Sequence, residues 1–203
     1  MLFGLDRRLR ARRAARECSQ AVCPTCGRPL IHDGLDWLTG LYNRGAWDHH
    51  ATRLLAEESG PVALLIADVD KLKWINDVHG HLAGDEALRR FSTVLRSVTR
   101  GRDLLARYGG DEFLALLPGS DADAALDVAQ RINTELSGTR LDTVSARDGQ
   151  VALTGLSASV GVATRDAGSD LEPMLMAADA ALLAAKRGGR GRSCLSGTSP
   201  LRR

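Results

Sequence analysis

The sequence predicts an α/β fold, in which helices pack against a central β-sheet. Short runs rich in apolar residues, at 62–67, 113–117 and 156–163, are typical of strands. Longer stretches between them repeat apolar residues at helical spacing, as in Leu88, Phe91, Val94, Leu95 and Val98. Because the two kinds of segment alternate along the chain, a sheet with helices packed on it is expected.

The predicted elements follow one another closely. In order they are helix 46–58, strand 62–67, a turn or short helix at 71–76, a glycine-punctuated loop at 77–85, a long helix that ends at 100–101, hairpin strands around 104–106 and 113–117, helix 122–136, strand 156–163 and helix 170–186. The stretch between the last helix but one and strand 156–163 is predicted only as a turn region.

Length and composition indicate one domain with short appendages. The 203 residues divide into a domain at 35–192, an Arg-rich segment at 1–34 and a flexible basic tail at 193–203. Apolar residues make up 44% and charged residues 26% of the chain, which is typical of a soluble globular protein.

The net charge of +2 conceals an uneven distribution. Residues 1–34 contain seven arginines and three acids, and residues 186–203 contain six basic side chains and no acid. Residues 35–185 are left with 14 basic and 22 acidic side chains. Because an acidic body repels a polyanionic substrate unless divalent metal intervenes, this pattern is a first indication of a metal-dependent site.

The sequence also bears on location. No apolar run approaches the roughly 20 residues of a membrane span, and residues 1–8 lack the features of a secretion signal. Four cysteines are too few and too clustered for a disulfide framework. A cytoplasmic protein is therefore expected.

The N-terminal segment contains two features of open function. Residues 1–17 are predicted to form a basic helix that binds a membrane, binds nucleic acid, pairs with its copy or is simply solvated. Cys23 and Cys26 form a CxxC motif, which is half of a zinc ribbon or knuckle, and only Cys18 and His32 stand nearby to complete a zinc site. A redox or free-thiol pair and chance occurrence remain alternatives. Zinc shared between two chains would make the segment a dimerisation element.

Acidic residues stand at two strand ends. Asp68 and Asp70 follow the buried strand, where carboxylates are costly unless they serve a metal or a substrate. Asp111 and Glu112 stand at the tip of the hairpin at 107–113, where acids are usually only solvated. The paired glycines there are expected to adopt the positive φ of a two-residue turn.

Taken together, these segments resemble the GGDEF-domain diguanylate cyclases over roughly residues 34–192. The matching motifs are Asp36-x-Leu38-Thr39-x-Leu41-x-Asn43-Arg44, Asp68-x-Asp70-x-x-Lys73-x-x-Asn76-Asp77, Gly80-His81-x-x-Gly84-Asp85, Gly109-Gly110-Asp111-Glu112-Phe113, Ser159-Val160-Gly161-Val162-Ala163 and Lys186-x-x-Gly189-Arg190. The resemblance implies a mixed central sheet flanked by helices, similar to nucleotide-cyclase and polymerase palm domains.

The resemblance also implies a reaction. Two GTP molecules condense into cyclic di-GMP with loss of two pyrophosphates, through in-line attack of a 3′-hydroxyl on an α-phosphorus. Divalent metal, Mg²⁺ or Mn²⁺, is needed to gather phosphate charge and activate the hydroxyl. Each domain holds one GTP, so a homodimer is required. GTP and cyclic di-GMP are the expected partners, and nucleic acid is not expected.

Site residues carry over position by position. Asp68, Asp111 and the Val69 carbonyl match metal ligands, and Glu112 either binds metal or helps to deprotonate the nucleophile. The glycines at the hairpin let phosphate approach the backbone, and cations neutralise the triphosphate. These positions are Gly109 and Gly110 for the glycines, and Lys73 and, less firmly, Lys186, Arg190 and Arg107 for the cations.

The base-reading positions match as well. Asn76 and Asp85 match the residues that read the guanine edge, and a carboxylate that accepts from guanine N1–H and N2–H₂ favours GTP over ATP. Leu72 and Leu88 would wall the base, with Leu72 in place of the more usual Phe, and His81 matches a substrate-contacting position.

One further motif and two alternative functions complete the sequence-based account. Arg100 and Asp103 form an RxxD five residues ahead of Gly109, which resembles the product-feedback site of the family. The alternatives are a catalytically silent receptor for cyclic di-GMP and a nucleic-acid or partner-binding module built on residues 1–34. Among departures from the family pattern, Gly191 stands where Asn is common.

Overall fold

A computed structural model describes residues 34–165 and 170–197 of the chain. The chain divides into two compact units, residues 1–35 and 36–203, and nearly all described residues belong to the second. The helices of the described residues are α1 (Arg44–Glu57), α2 (Leu72–His79), α3 (His81–Val98), α4 (Ala122–Ser137) and α5 (Leu171–Arg187). The strands are β1 (Val62–Val69), β2 (Leu104–Arg107), β3 (Glu112–Pro118), β4 (Arg140–Ser145), β5 (Gly149–Thr154), β6 (Ala158–Thr164) and β7 (Ser193–Leu195).

Five strands form one mixed sheet in the order β2-β3-β1-β6-β7. The central strand β1 is antiparallel to β3 and to β6, β2 is antiparallel to β3, and β7 is parallel to β6. A separate hairpin pairs β4 with β5. The predicted α/β class and the mixed sheet flanked by helices are confirmed.

Strand β1 lies between two apolar layers. Its side chains alternate between the two faces of the sheet, as the geometry of a strand requires. Leu65 belongs to a core cluster with Phe91 of α3, whereas Leu64 belongs to a second cluster with Trp47 of α1 and Met174 of α5. Because both faces are buried, the strand is an unbroken apolar run in the sequence.

A glycine in β6 allows α5 to lie against the sheet. A Cβ on Gly161 would lie 2.0 Å from the carbonyl oxygen of Ala178 and 2.3 Å from the backbone nitrogen of Leu182. Any side chain here would push the helix away from β6. The close approach matters for function because Lys186, near the end of α5, reaches the end of β1.

Three local predictions differ from the structure. The predicted loop at 77–85 is mostly helical, since α2 continues to His79, α3 begins at His81 and only Gly80 separates them. The predicted turn region before strand 156–163 contains the β4–β5 hairpin. Residues 193–195, which are predicted as part of a flexible tail, form β7, which pairs with β6 and includes the buried Cys194. None of the described helices has the length and apolar character that a membrane crossing demands.

Candidate active site

The end of β1 and the hairpin between β2 and β3 meet at one edge of the sheet. Asp68 lies opposite Glu112 in the antiparallel pairing of β1 with β3. The backbone N–H of Val69 donates to the carbonyl oxygen of Asp111 at 3.1 Å. The four positions that the sequence predicted as metal ligands are therefore adjacent in space.

Asp68 is the electrostatic centre of this edge. Lys186 Nζ donates to Asp68 Oδ2 at 2.6 Å, and the two side chains are 31% and 15% exposed. Burial raises the pKa of the Asp68 carboxyl above its usual range, and the nearby charges of Asp111 and Asp70 act in the same direction, whereas the hydrogen bond and charge of Lys186 oppose them. The half-buried Asp68 carboxylate thus lies near the charges of two other acids and is paired with the ammonium of Lys186.

The donor set suits a hard divalent cation. Carboxylate and carbonyl oxygens are ligands that Mg²⁺ and Mn²⁺ prefer. The ammonium of Lys186 already places a positive charge beside Asp68, as a bound metal ion would. Within residues 34–165 and 170–197, no three His, Cys, Asp or Glu side chains are gathered tightly enough to hold an ion by themselves. A metal would therefore have to draw the carboxylates together or take ligands from the substrate.

The hairpin tip has a different backbone from the predicted one. Four residues, 108–111, join β2 to β3, and the backbone N–H groups of Tyr108 and Gly109 both donate to the carbonyl oxygen of Glu112 at 2.8 and 3.2 Å. Neither Gly109 nor Gly110 has a positive φ, so that expectation is wrong. A four-residue connection does not need the mirror-image turn that a two-residue one requires. Both glycines are exposed, and a Cβ on Gly110 would meet no atom within 4 Å.

Arg107 fastens the tip to the start of the domain. Its Nε and Nη2 donate to the carbonyl oxygen of Gly110 at 3.2 and 2.8 Å, and its Nη1 lies 3.3 and 3.4 Å from the two carboxylate oxygens of Asp36. Asp36 also accepts from the backbone N–H and the hydroxyl of Thr39 at 2.9 and 2.7 Å. We refer to Asp36, Arg107 and Gly110 as the hairpin clamp. The predicted phosphate contact of Arg107 would require its guanidinium to leave these partners.

The predicted base-reading residues lie on α2 and α3, next to this edge. Gly84 is buried in α3, and a Cβ there would lie 1.9 Å from Oδ1 of Asn76, so the absence of a side chain makes room for the amide. Asp85 follows directly and is half-buried. The remaining positions divide by exposure, with Leu72 and Leu88 buried in the main core cluster and His81 and Lys73 exposed.

The RxxD turn lies apart from this edge. The backbone N–H of Arg100 donates to Asp103 Oδ2 at 2.7 Å, and the N–H of Asp103 donates to the carbonyl oxygen of Arg100 at 3.0 Å. The turn follows the last residues of α3, whose 18 residues span about 27 Å from the base-reading end. Asp103 borders an open cleft of about 540 Å³, and its Oδ1 has no hydrogen-bond partner among the described residues.

Sequence reasoning missed two sets of contacts, and its predictions of a basic helix at 1–17 and of a zinc site fall outside the described residues. The hairpin clamp and the hydrogen bonds of Asp70 join residues far apart in the chain. Their sequence signal is that Asp36, Asp70, Gly110 and Ser159 stand within the quoted motifs, which does not show which residues pair. The candidate zinc ligands Cys18, Cys23, Cys26 and His32 lie outside the described residues.

Known proteins share both the sequence pattern and the fold. A family model described as diguanylate cyclase, GGDEF domain, matches residues 34–192. The diguanylate cyclase DosC of Escherichia coli K12 is 38% identical over 162 residues, which are 78% of this chain and 34% of DosC. The response regulator PleD of Caulobacter vibrioides is 37% identical over 159 residues, which are 76% of this chain and 34% of PleD.

The chain spans about a third of the length of these two curated relatives. The crystal structure of the GGDEF domain of DgcB from Caulobacter crescentus, in complex with cyclic di-GMP, superposes with a TM-score of 0.77 at 33% identity, over 83% of this chain and 96% of that domain. The family model covers well over half of the sequence, and the chain therefore belongs to the GGDEF domain family of diguanylate cyclases.

Proposed function

We propose that the protein is a diguanylate cyclase that condenses two GTP molecules into cyclic di-GMP and releases two pyrophosphates. The observation that carries the proposal is the half-buried carboxylate of Asp68, which lies opposite Glu112, lies close enough to the charge of Asp111 to be affected by it, and pairs with Lys186. Such a gathering of charge is costly in a purely structural site and suits the handling of a polyanion with metal. Family membership and the names of the relatives support the same reaction.

Divalent metal belongs to the proposal. Asp68, Asp111, Glu112 and the carbonyl of Val69 would hold it, and their oxygens fit Mg²⁺ or Mn²⁺. When bound, the metal supplies charge neutralisation of the triphosphate and a lower pKa for the attacking hydroxyl.

The protein's own residues bind and orient the nucleotide. Lys186, which contacts Asp68 at this edge, would bind the triphosphate together with Lys73 and Arg190. The exposed glycines Gly109 and Gly110 leave the backbone of the hairpin tip open to phosphate oxygens. These contacts hold the 3′-hydroxyl and the α-phosphorus in line, which is the main contribution that a protein makes to phosphoryl transfer.

Guanine specificity is assigned to the α2–α3 junction. Asn76 and Asp85 would face the base edge, with His81 close to the bound nucleotide and Leu72 and Leu88 forming the apolar wall. A carboxylate accepts two hydrogen bonds from N1–H and N2–H₂ of guanine, whereas adenine has no such donor pair. GTP is therefore the proposed substrate.

Two features of regulation are part of the same proposal. Each domain holds one GTP, so catalysis requires a homodimer in which two sites face each other. Product feedback is assigned to Arg100 and Asp103, whose turn follows the end of α3, about the length of that helix away from its first turns, where Asp85 lies. The guanidinium would take guanine or phosphate acceptors, and the carboxylate would accept from the guanine edge. A cytoplasmic location stays a prediction.

The test is incubation of the purified chain with GTP, with and without Mg²⁺. Cyclic di-GMP should form only with metal, and the specific activity should rise with protein concentration because two chains are needed. Asp111→Ala should abolish synthesis and leave cyclic di-GMP binding intact, with Asp179→Ala on the exposed face of α5 as the control. Retained product binding without turnover in the wild-type chain would instead identify a silent receptor.

A further inference from the structure

Asp70, the residue that directly follows β1, is buried, and both of its carboxylate oxygens accept hydrogen bonds. Asp70 is only 5% exposed. Oδ1 accepts from the hydroxyl of Ser159 at 2.7 Å, and Oδ2 accepts from the hydroxyl of Ser157 at 2.7 Å and from the backbone N–H of Gly191 at 2.9 Å. A buried carboxylate needs such donors. Its oxygens are therefore committed to the protein rather than turned towards a metal.

The bond to Gly191 joins the end of β1 to the segment that follows α5. Gly191 lies four residues beyond the end of this helix. Arg190 lies in this segment and Lys186 lies in the last turn of α5 just before it. Both are among the cations proposed for the triphosphate. The end of β1 thus contacts this part of the chain twice, through Asp68 with Lys186 of α5 at 2.6 Å and through Asp70 with Gly191 of the segment that follows.

Backbone strain is concentrated on both sides of this bond. Among the described residues, only two other than glycine have a positive φ, Lys71 at 59° and Arg190 at 65°. Lys71 directly follows Asp70, and Arg190 directly precedes Gly191. Side chains disfavour this conformation, which persists only where the surrounding structure holds it. The Asp70–Gly191 bond is the contact that links the two strained residues.

Gly191 itself fits this arrangement. Its φ of 58° is one that glycine adopts freely and that asparagine tolerates better than most residues. The presence of Gly where Asn is common in the family pattern therefore has a physical reason, since both residues suit a left-handed backbone. A β-branched residue at this position would displace the peptide that donates to Asp70.

We propose that Asp70 is a positioning residue, whose buried carboxylate fixes the segment after α5 and so sets Arg190, and with it Lys186 at the adjoining end of α5, for the triphosphate of GTP. The inference rests on the proposed function for the identity of the ligand. It assigns to Asp70 neither a metal nor a substrate contact. Its effect passes through the backbone of Gly191.

Two substitutions at Asp70 separate positioning from a role of the charge itself. Asp70→Ala removes every acceptor and should weaken binding of a non-hydrolysable GTP analogue about tenfold, the equivalent of one good hydrogen bond to a charged group. Asp70→Asn keeps an oxygen that accepts from the N–H of Gly191. Its affinity for the GTP analogue should therefore stay within about threefold of the wild-type value. Binding is measured by calorimetry in the presence of Mg²⁺, on the full chain.

A second pair of variants approaches the bond from the other side. Gly191→Val should weaken binding as Asp70→Ala does, whereas Gly191→Asn should bind as wild type does. This pair leaves the core intact, so it decides the question even where Asp70→Ala fails to fold. Val62→Ala, at the opposite end of β1, controls for a general loss of stability.

The outcomes are distinct. Loss of affinity in the Ala and Val variants, with rescue by both Asn variants, supports positioning. Equal loss in Asp70→Asn and Asp70→Ala, or wild-type affinity in Gly191→Val, overturns it. Because the readout is GTP binding, a wild-type chain that binds GTP but makes no cyclic di-GMP would contradict the proposed function and leave this test standing.

Discussion

The hairpin clamp makes a prediction that can be worked from its geometry. Arg107→Lys keeps the positive charge but removes the planar fork, and an ammonium cannot reach both the carbonyl of Gly110 and the carboxylate of Asp36. The two charged side chains are 15% and 17% exposed, so screening by water is limited. Hydrogen bonds to charged groups contribute about 1.5–3 kcal/mol each.

The expected loss is therefore about 2 kcal/mol of preference for the observed position of the tip. Because Asp111 follows Gly110 directly, a loosened tip misplaces a proposed metal ligand, and kcat should fall about tenfold or more. KM for GTP should change little, since the side chains of Arg107 and Asp36 bind each other and the carbonyl oxygen of Gly110 rather than the nucleotide. Asp36→Asn should produce the same pattern, and the double variant should be less impaired than the sum of the two predicts.

The assay is the initial rate of pyrophosphate release, with cyclic di-GMP removed enzymatically as it forms. Arg165→Lys is a matched control, because Arg165 also donates to main-chain carbonyls, including that of Leu55 at 2.8 Å, far from the hairpin. A large rise in KM for Arg107→Lys with normal kinetics for Asp36→Asn would refute the reasoning. Arg107 would then be a phosphate ligand, as the sequence-based interpretation expects.

Three further predictions concern the base-reading residue Asn76, the strand-end acid Asp68 and the RxxD turn at Arg100. Gly84→Ala places a Cβ 1.9 Å from the amide oxygen of Asn76, so KM for GTP should rise and the preference for GTP over ATP should shrink in steady-state assays. Asp68→Asn should abolish turnover yet raise Tm at pH 7. Because the pKa of Asp68 is raised in the folded protein, its ionised carboxylate destabilises the fold at pH values above that pKa. The gain in Tm should therefore vanish as the pH falls below 3.8, where the carboxyl is protonated in the folded and unfolded chain alike. Arg100→Ala should leave the initial rate unchanged and remove inhibition by added cyclic di-GMP.

Each of these predictions has a control and a contrary result. Gly45→Ala adds a methyl group to a helical glycine with room for it, and equal effects of the two glycine variants would exclude a specific role for Asn76. Asp179→Asn controls the pH series, and a Tm gain that grows in acid would contradict the sign given for Asp68. Arg147→Ala controls the feedback test, and unchanged inhibition in Arg100→Ala would exclude the turn as the feedback site.

Local signals in the sequence predicted the scaffold of the site well. The apolar run of β1 and the acid at its end, Asp68, are contiguous in sequence, and so are the hairpin strands around Asp111. The order of strands and helices follows from periodicity and glycine-containing breaks. The family pattern then identified the mixed sheet, which periodicity alone does not define.

The roles of individual polar residues depended on contacts that the sequence does not display. Asp70 and Asp68 are alike as acids at a strand end, yet the partners of Asp70 lie 87, 89 and 121 residues away. Arg107 and Asp36 are separated by 71 residues. The conformation of the hairpin glycines depended on the length of the turn, which residue types alone left open.

The formation of cyclic di-GMP tests the central claim most directly. Purified chain is incubated with GTP and Mg²⁺, the nucleotide product is identified by mass spectrometry, and pyrophosphate is counted against GTP consumed. The proposed function predicts cyclic di-GMP, one pyrophosphate for each GTP and no product from Asp111→Ala. Intact GTP, or a product other than cyclic di-GMP, from a correctly folded chain would contradict it.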